Sequence, residues 1–334
     1  MIAFGPVPSR RLGRSLGINN IPAKICTFAC VYCQLGNTIR MQVKREAFYP
    51  PEEVFESVKE KVEEARNRGE KIDYLAFVPD GEPTLDLNIG REIELLRTLA
   101  IPIAVITNAS LIHQESVRNA LLLADWVSLK VDAVTESVWR RVDRPHGSLK
   151  LNEIHRGMIQ FAREFEGTLT TETMLVEGIN DDEEEFELVA DFLASLPRKG
   201  GNKGPDKAYI SIPTRPPAEE WCLPASEDAI AKAYHTLAIA LGEDRVEYLI
   251  GYEGNAFAST GNAADDLLSI TAVHPMRKEA VQAFLKKVGA DWKLVADLID
   301  SGRMMRLEYQ GHEFYMRKLP GREKRRTRRE FGSG

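Results

Sequence analysis

Three of the four cysteines fall within eight residues, in Cys26-Thr27-Phe28-Ala29-Cys30-Val31-Tyr32-Cys33, and the fourth, Cys222, stands alone. Thiolates are soft ligands that suit zinc or iron–sulfur clusters. A structural zinc site usually closes a tetrahedron with four ligands. Here one loop offers three, and no His or Asp follows within ten residues. Zinc would therefore need Cys222 as a distant fourth ligand. A four-iron cluster is normally held by four cysteines, so three leave one iron open. An open coordination position marks a catalytic metal rather than a structural one. The plain alternative is three ordinary core cysteines, against which the spacing argues. Cys222 is a candidate second catalytic thiol, weighed against the commoner fate of a free cysteine as a small buried hydrophobe.

A second constellation is Pro79-Asp80-Gly81-Glu82-Pro83-Thr84, where an apolar run stops. A carboxylate there can face an ammonium group; the bland reading is a strand-to-helix turn with Glu82 in solvent. Thr107 and Asn108 end the next apolar run. Ser128, Lys130 and Asp132 alternate along the one after, so they share a face. Lys130 and Asp132 are costly in an apolar strand unless partnered, and a mutual ion pair would suffice. Arg10, Arg11 and Arg14 precede the cysteine loop, and Arg141, Arg144 and His146 follow a helix. Arginine forks suit phosphate or carboxylate, although charge runs are more often solvated faces. His113, His155 and His235 fall in or beside helical patterns and read as surface or core residues.

The elements that must position these groups follow a rhythm. Apolar strands are expected at Ser15–Ile21, Asp73–Pro79, Ile101–Asn108, Asp125–Ala133, Thr168–Gly178 and Lys207–Pro213. Helical patterns separate them, near Pro51–Ala65, Glu92–Leu99, Glu115–Ala124, Asn152–Glu164 and Asp182–Leu196. Such alternation implies parallel pairing with right-handed crossovers. Six units are too few for a closed eight-fold barrel, so an open, partial (β/α)6 barrel is expected, with ligands at the carboxyl ends of its strands. The length of 334 residues suggests about two domains. At 43% hydrophobic and 28% charged, the chain is neither disordered nor fibrous. The expected division is 1–215 for the barrel, 216–264 for a connector of one helix (Ser226–Leu241) and a loop (Gly251–Asn262), 265–318 for a small α+β module, and 319–334 for a basic tail.

With the barrel beside them, Cys26, Cys30 and Cys33, in C-x3-C-x2-C spacing with an aromatic before the last cysteine, resemble the signature of the radical S-adenosylmethionine (SAM) superfamily. The resemblance implies a [4Fe–4S] cluster whose open iron binds the amino and carboxylate groups of SAM. It further implies reductive cleavage of SAM to methionine and a 5′-deoxyadenosyl radical, which takes a hydrogen atom from the substrate. In that family Gly81, Glu82 and Pro83 match a turn that holds the SAM amino group. Asp80 departs from the usual glycine. Asn108, Ser128 and Lys130 stand where polar groups reach the SAM ribose and carboxylate, and Tyr32 where an aromatic lies near the adenine. A reductant such as ferredoxin or flavodoxin is the implied electron source. The opening PVPSRRLGRSLGINN and the run CVYCQLGN are similar to the iron–sulfur oxidoreductase branch that includes wybutosine-synthesis enzymes of tRNA. The resemblance covers the first two-thirds of the chain and raises RNA as a substrate. A protein or small-molecule substrate, or a cluster-bearing nucleic-acid regulator, stays open.

Beyond the barrel, PMRKEAVQAFLKKVG and ADWKLVADLIDSG read as helices closed by Gly289 and Gly302, and MMRLEYQGHEFYMRK as a hairpin turning at Gln310-Gly311. That outline is winged-helix-like. The tail from Arg317 holds eight basic residues against two acids, a net +6, which leaves −12 for the rest of a chain of net −6. Basic clusters neutralise phosphates, so RNA is the expected partner of the tail. Asp291, Asp297, Asp300 and nearby Glu308 are poorly placed for a DNA groove. No run approaches eighteen apolar residues, and the opening residues lack a signal-peptide stretch. No membrane association is expected, and the expected compartment is the cytoplasm.

Overall fold

The computed structural model describes residues 2–250, 262–273 and 275–318. The basic tail beyond Lys318 and all but the last residue of the Gly251–Asn262 loop lie outside the described residues. Eight strands form one sheet in the order β1-β2-β5-β6-β7-β8-β9-β10. β1 (Ala3–Ser9) runs antiparallel to β2 (Gly13–Ile18). From β2 onward every pairing is parallel, through β5 (Tyr74–Phe77), β6 (Ile103–Thr107), β7 (Trp126–Lys130), β8 (Thr168–Met174), β9 (Lys207–Ser211) and β10 (Val246–Tyr248). β3 (Ile25–Cys26) and β4 (Arg40–Met41) form a separate pair. The edges β1 and β10 do not meet, so the sheet is an open, partial barrel.

The helices are α1 (Pro51–Asn67), α2 (Ile89–Leu96), α3 (Glu115–Leu121), α4 (Glu136–Val142), α5 (Leu151–Glu164), α6 (Glu183–Ser195) and α7 (Glu227–Leu241). They cover the outer face of the sheet. Strand alternation divides the side chains between the two faces. Leu75, Phe77, Val127, Leu129, Ala208 and Ile210 join the helix-side core. Ala76, Ala104, Trp126 and Tyr209 face the lumen, where they meet Leu249 and, from the tip of the β1–β2 hairpin, Leu12. Local signals set the helix starts: Pro51 opens α1, Asp182 caps α6 by accepting from the Glu185 N–H, and Ser226 caps α7 by accepting from the Ala229 N–H.

The C-terminal module comprises α8 (Ala263–Val273), β11 (Met276–Arg277), α9 (Lys278–Val288), α10 (Trp292–Asp300), β12 (Met304–Tyr309) and β13 (His312–Arg317). Its three strands form an antiparallel sheet in the order β11-β13-β12. Gln310 (φ 48°) and Gly311 (φ 73°) make the tight turn expected between β12 and β13, the left-handed pair that a two-residue hairpin favours. The module shares its core with β1: Phe4 and Val7 pack with Leu267, Phe284, Leu298 and Tyr315. On its other side the Tyr309 hydroxyl donates to the Pro213 carbonyl (3.0 Å). It therefore bridges β1 and the segment after β9, next to the gap in the barrel.

Two strands exceed the six expected. β1 contains Pro6 and Pro8, which speak against a strand, but an edge strand tolerates proline because it has one unpaired side. Its register with β2 slips between Phe4 and Val7. β10 has only three residues and lies within the expected connector. The first parallel strand ends at Ile18 rather than Ile21, because the chain turns there into the cysteine loop.

Candidate functional site

The cysteine loop is tied down at both ends. β3 and β4 pair Cys26 with Met41. Inside the loop the Cys33 N–H donates to the Cys30 carbonyl (3.1 Å) and the Gly36 N–H to the Cys33 carbonyl (2.9 Å). All three cysteines are half-buried and line one cavity of about 330 Å³. Burial, with Glu82 nearby, pushes the Cys26 thiol up to about 12. Burial and Asp143 push Cys30 well above its usual range. Thiols held neutral in this way need a strong local cation to ionise, which a bound metal supplies. Among the described residues, no three His, Cys, Asp or Glu side chains converge on a single ion. A four-iron cluster anchors each cysteine to a different iron, so three thiolates with no fourth ligand beside them suit a cluster better than a closed zinc site.

Facing the loop is the turn after β5. Glu82 is fully buried and takes four hydrogen bonds. Its Oε1 accepts from the Thr84 N–H (3.0 Å), the Thr84 hydroxyl (2.5 Å) and the Thr107 hydroxyl (2.7 Å). Its Oε2 accepts from the Asn108 N–H (2.8 Å). A carboxylate has about four lone-pair sites, and Oε2 keeps one in the cavity wall. Burial raises the Glu82 pKa against the lowering effect of these bonds. Gly81 is required by close approach, since a Cβ there would lie 1.9 Å from the Ile25 carbonyl oxygen. Asp80 is absent from the residues with positive φ, so its departure from glycine brings no backbone strain. Asn108 connects the two halves: its Nδ2 donates to the Thr27 hydroxyl (2.8 Å) and lies 3.6 Å from Cys26 Sγ.

A chain of charges makes the third wall. Lys130 lies 2.8 Å from Glu172 and 3.5 Å from Asp132. Glu172 also accepts from Arg11, which reaches across from the β1–β2 hairpin, and from the Ser211 hydroxyl (2.9 Å). Burial opposes ionisation of Glu172, yet Lys130 and Arg11 hold its carboxyl well below the usual carboxylate range. The Tyr32 hydroxyl donates to Asp132 and lies 3.2 Å from Asp143, while its ring lies 5.0 Å from Lys130 Nζ.

Of the residues singled out in the sequence, Cys26, Cys30, Cys33, Tyr32, Gly81, Glu82, Asn108 and Lys130 line this one cavity, as do Arg10 and Arg11. Three do not. Pro83 is buried behind the turn and its carbonyl accepts from Asn20 Nδ2 (3.2 Å). Ser128 is buried on β7 between lumen-facing Trp126 and Lys130 but outside the cavity lining. Cys222 is wholly buried in the helix-side core. Burial raises its thiol to about 12, and it lies outside the cavity that the other three cysteines line. The other basic residues are engaged elsewhere: the Arg14 side chain lies 4.0 Å from Glu70, Arg141 donates to the Gly178 carbonyl (2.8 Å) and Arg144 pairs with Glu219. His155 packs on Phe192, and burial lowers its pKa to about 4. Sequence reasoning missed Glu172, Ser211 and Arg215. The available signal for Glu172 was a lone acid in a strand whose neighbouring strand carries a lone lysine, but the register Lys130↔Glu172 is visible only in the fold.

Residues 20–192 match the Radical SAM superfamily. A UPF0026 protein of Methanocaldococcus jannaschii is 46% identical over 97% of this chain and 98% of its own length. A UPF0026 protein of Synechocystis is 34% identical over 64% of this chain and 76% of its own. Among solved structures, one of TYW1 with a lysine-pyruvate adduct bound shares 18% identity, covering 68% of this chain and 73% of that one, with a TM-score of 0.45. A radical SAM methyltransferase from Sphaerobacter thermophilus shares 15%, covering 72% and 69%, with a TM-score of 0.49. The family match spans the cysteine loop, the Glu82 turn and the strands that carry the charged wall, and the chain belongs to the radical SAM superfamily.

Proposed function

We propose that this protein is a radical SAM enzyme that takes a hydrogen atom from an RNA substrate. The observation that carries the reading is the meeting, in one cavity, of three cysteines and a buried carboxylate with an acceptor site to spare. Cys26, Cys30 and Cys33 would hold a [4Fe–4S] cluster, and Glu82 Oε2 would accept from the SAM ammonium. Asn108 and Lys130 offer donors to the rest of the cofactor, and Tyr32 a ring beside it. When bound and reduced, the cluster supplies the electron that splits SAM into methionine and a 5′-deoxyadenosyl radical. The protein's own part is positioning and exclusion. Leu12, Trp126, Tyr209 and Leu249 close the lumen with apolar groups, which keeps water from a reactive centre.

RNA is supported by the +6 tail on a −12 body, a separation of charge that burial does not require. The test has two parts. Anaerobically reconstituted protein should hold four irons and release 5′-deoxyadenosine when dithionite and SAM are added; absence of that nucleoside overturns the enzyme reading. RNA binding should be compared, at two salt concentrations, for the full chain and a chain ending at Lys318. Loss of a salt-sensitive affinity on truncation supports RNA. Equal, salt-insensitive binding points to a protein or small-molecule substrate.

A further inference from the structure

The cysteine loop and the Glu82 turn are fastened to each other at a residue outside the cavity lining. Lys24 stands two residues before Cys26 and is 3% exposed. Its N–H donates to the Asp80 carbonyl (2.6 Å), and its own carbonyl accepts from the Ile39 N–H (3.0 Å) and the Arg40 N–H (3.2 Å). Its ammonium donates to the Leu35 carbonyl, two residues beyond Cys33. One residue thus joins the entrance of the cysteine loop to its exit, and both to the turn after β5. Lys24 sits at φ 69°, a left-handed conformation uncommon for a residue with a side chain. Residues held in this way cluster where function requires them.

Asp80 is the other half of the fastening, at the position where the family usually carries glycine. Its N–H donates to Asn19 Oδ1 (3.1 Å). Its side chain is turned inward: the residue is 5% exposed, and Oδ1 takes no hydrogen bond among the described residues. A buried carboxylate with an open acceptor oxygen is costly unless a cation stands near. Burial raises the Asp80 carboxyl to about 7, and Lys24, then Arg317 of β13, oppose the rise. The turn therefore places a buried negative charge beside a buried positive one, directly behind the loop that carries the three cysteines. Glycine at position 80 would supply the backbone contact without the charge.

Resting on the cluster reading above, we propose that Lys24 and Asp80 are a positioning pair: Lys24 clasps the cysteine loop to the Glu82 turn, and its ammonium, balanced by the Asp80 carboxylate, sets the potential at which the loop's cluster takes up an electron. Reduction adds negative charge, so a nearby cation raises a cluster's potential and a nearby anion lowers it. The two roles separate by substitution. Lys24→Met keeps the length of the side chain and removes the ammonium; Asp80→Asn keeps the shape and removes the carboxylate. The experiment uses the reconstituted full chain at pH 8.5, above the Asp80 value. It measures the midpoint potential by redox titration with electron paramagnetic resonance, and the rate of iron release to a chelator. The potential should fall in Lys24→Met, rise in Asp80→Asn and stay near wild type in Lys24→Arg. Iron release should be roughly tenfold faster in Lys24→Met, the change expected for one lost hydrogen bond to a charged group, and near wild type in Asp80→Asn. Potentials that move in the same direction in Lys24→Met and Asp80→Asn, or in neither, would overturn the charge role, because a purely structural disturbance has no reason to reverse sign. Unchanged iron release in Lys24→Met would overturn the clasp. Should Lys24→Met hold no cluster, Asp80→Asn decides the charge role alone, since its potential must rise. A wild-type chain that assembles no cluster would overturn the enzyme reading itself, and the pair with it.

Discussion

Glu82 accepts four hydrogen bonds before any ligand arrives, so its orientation toward the cavity is built in advance. Glu82→Gln keeps the shape but exchanges one acceptor oxygen for a donor among donors. SAM affinity should fall by roughly 1.5–3 kcal/mol, the worth of a charge-assisted bond in a buried site. Calorimetric titration of the reconstituted protein measures it, with iron content as the control; unchanged affinity would remove Glu82 from the site. Cys222 gives the opposite expectation. Cys222→Ala should keep the cluster and cost about 1 kcal/mol of stability, whereas Cys222→Ser should cost more because its hydroxyl would be buried in an apolar core. Iron counts and melting curves separate the two effects. The cysteine trio and Glu82 were legible because their chemistry sits in runs of a few residues. Ser128 was placed by alternation, which gives a face but not a depth, and its role came only from the resemblance. Glu172 was illegible because its partners Lys130 and Arg11 lie 42 and 161 residues away in sequence.

At the scale of elements, the link between the Glu82 turn and α2 rests on two wholly buried carboxyls, Asp86 and Glu92. Burial, then the neighbouring Asp86, raises Glu92 to about 9, and burial raises Asp86 to about 6. Both folded values exceed the unfolded ones, so the folded state holds these protons more tightly. The stability they contribute is complete below the unfolded carboxylate range, about 4, and is lost as pH rises toward 9. Glu92→Gln removes one of the two charges. Its melting temperature should gain on the wild type between pH 6 and pH 8.5, and an equal gap at both values would sink the argument. The elements themselves were largely readable. The apolar runs that became β5 to β9 are mostly buried, and Gly, Pro or Asn follows most of them. β1 was hidden by its prolines and β10 by its brevity, since both depend on a neighbouring strand more than on local propensity.

For the whole molecule, the joint between barrel and C-terminal module runs through Phe4. Its ring covers Gly17, where a Cβ would lie 2.0 Å from the ring. Gly17→Ala should expel that ring from the shared core and cost roughly 1–3 kcal/mol. The module should then become more sensitive to proteolysis than α1 to α6, and a uniform change in cleavage would mean that the joint does not carry the effect. The helices and hairpin of the module were legible in their glycine stops; its seat on β1 was not, because Phe4 and Val7 give no sign of which partner they meet. That seat has a consequence for the order of synthesis. β1 is made well before the module, yet Phe4 and Val7 share their core largely with residues beyond 262. Arg11 likewise waits for Glu172. The strand is thus completed long after it is made, and a nascent chain stalled before α8 would leave Phe4 and Val7 open for chaperones to recognise.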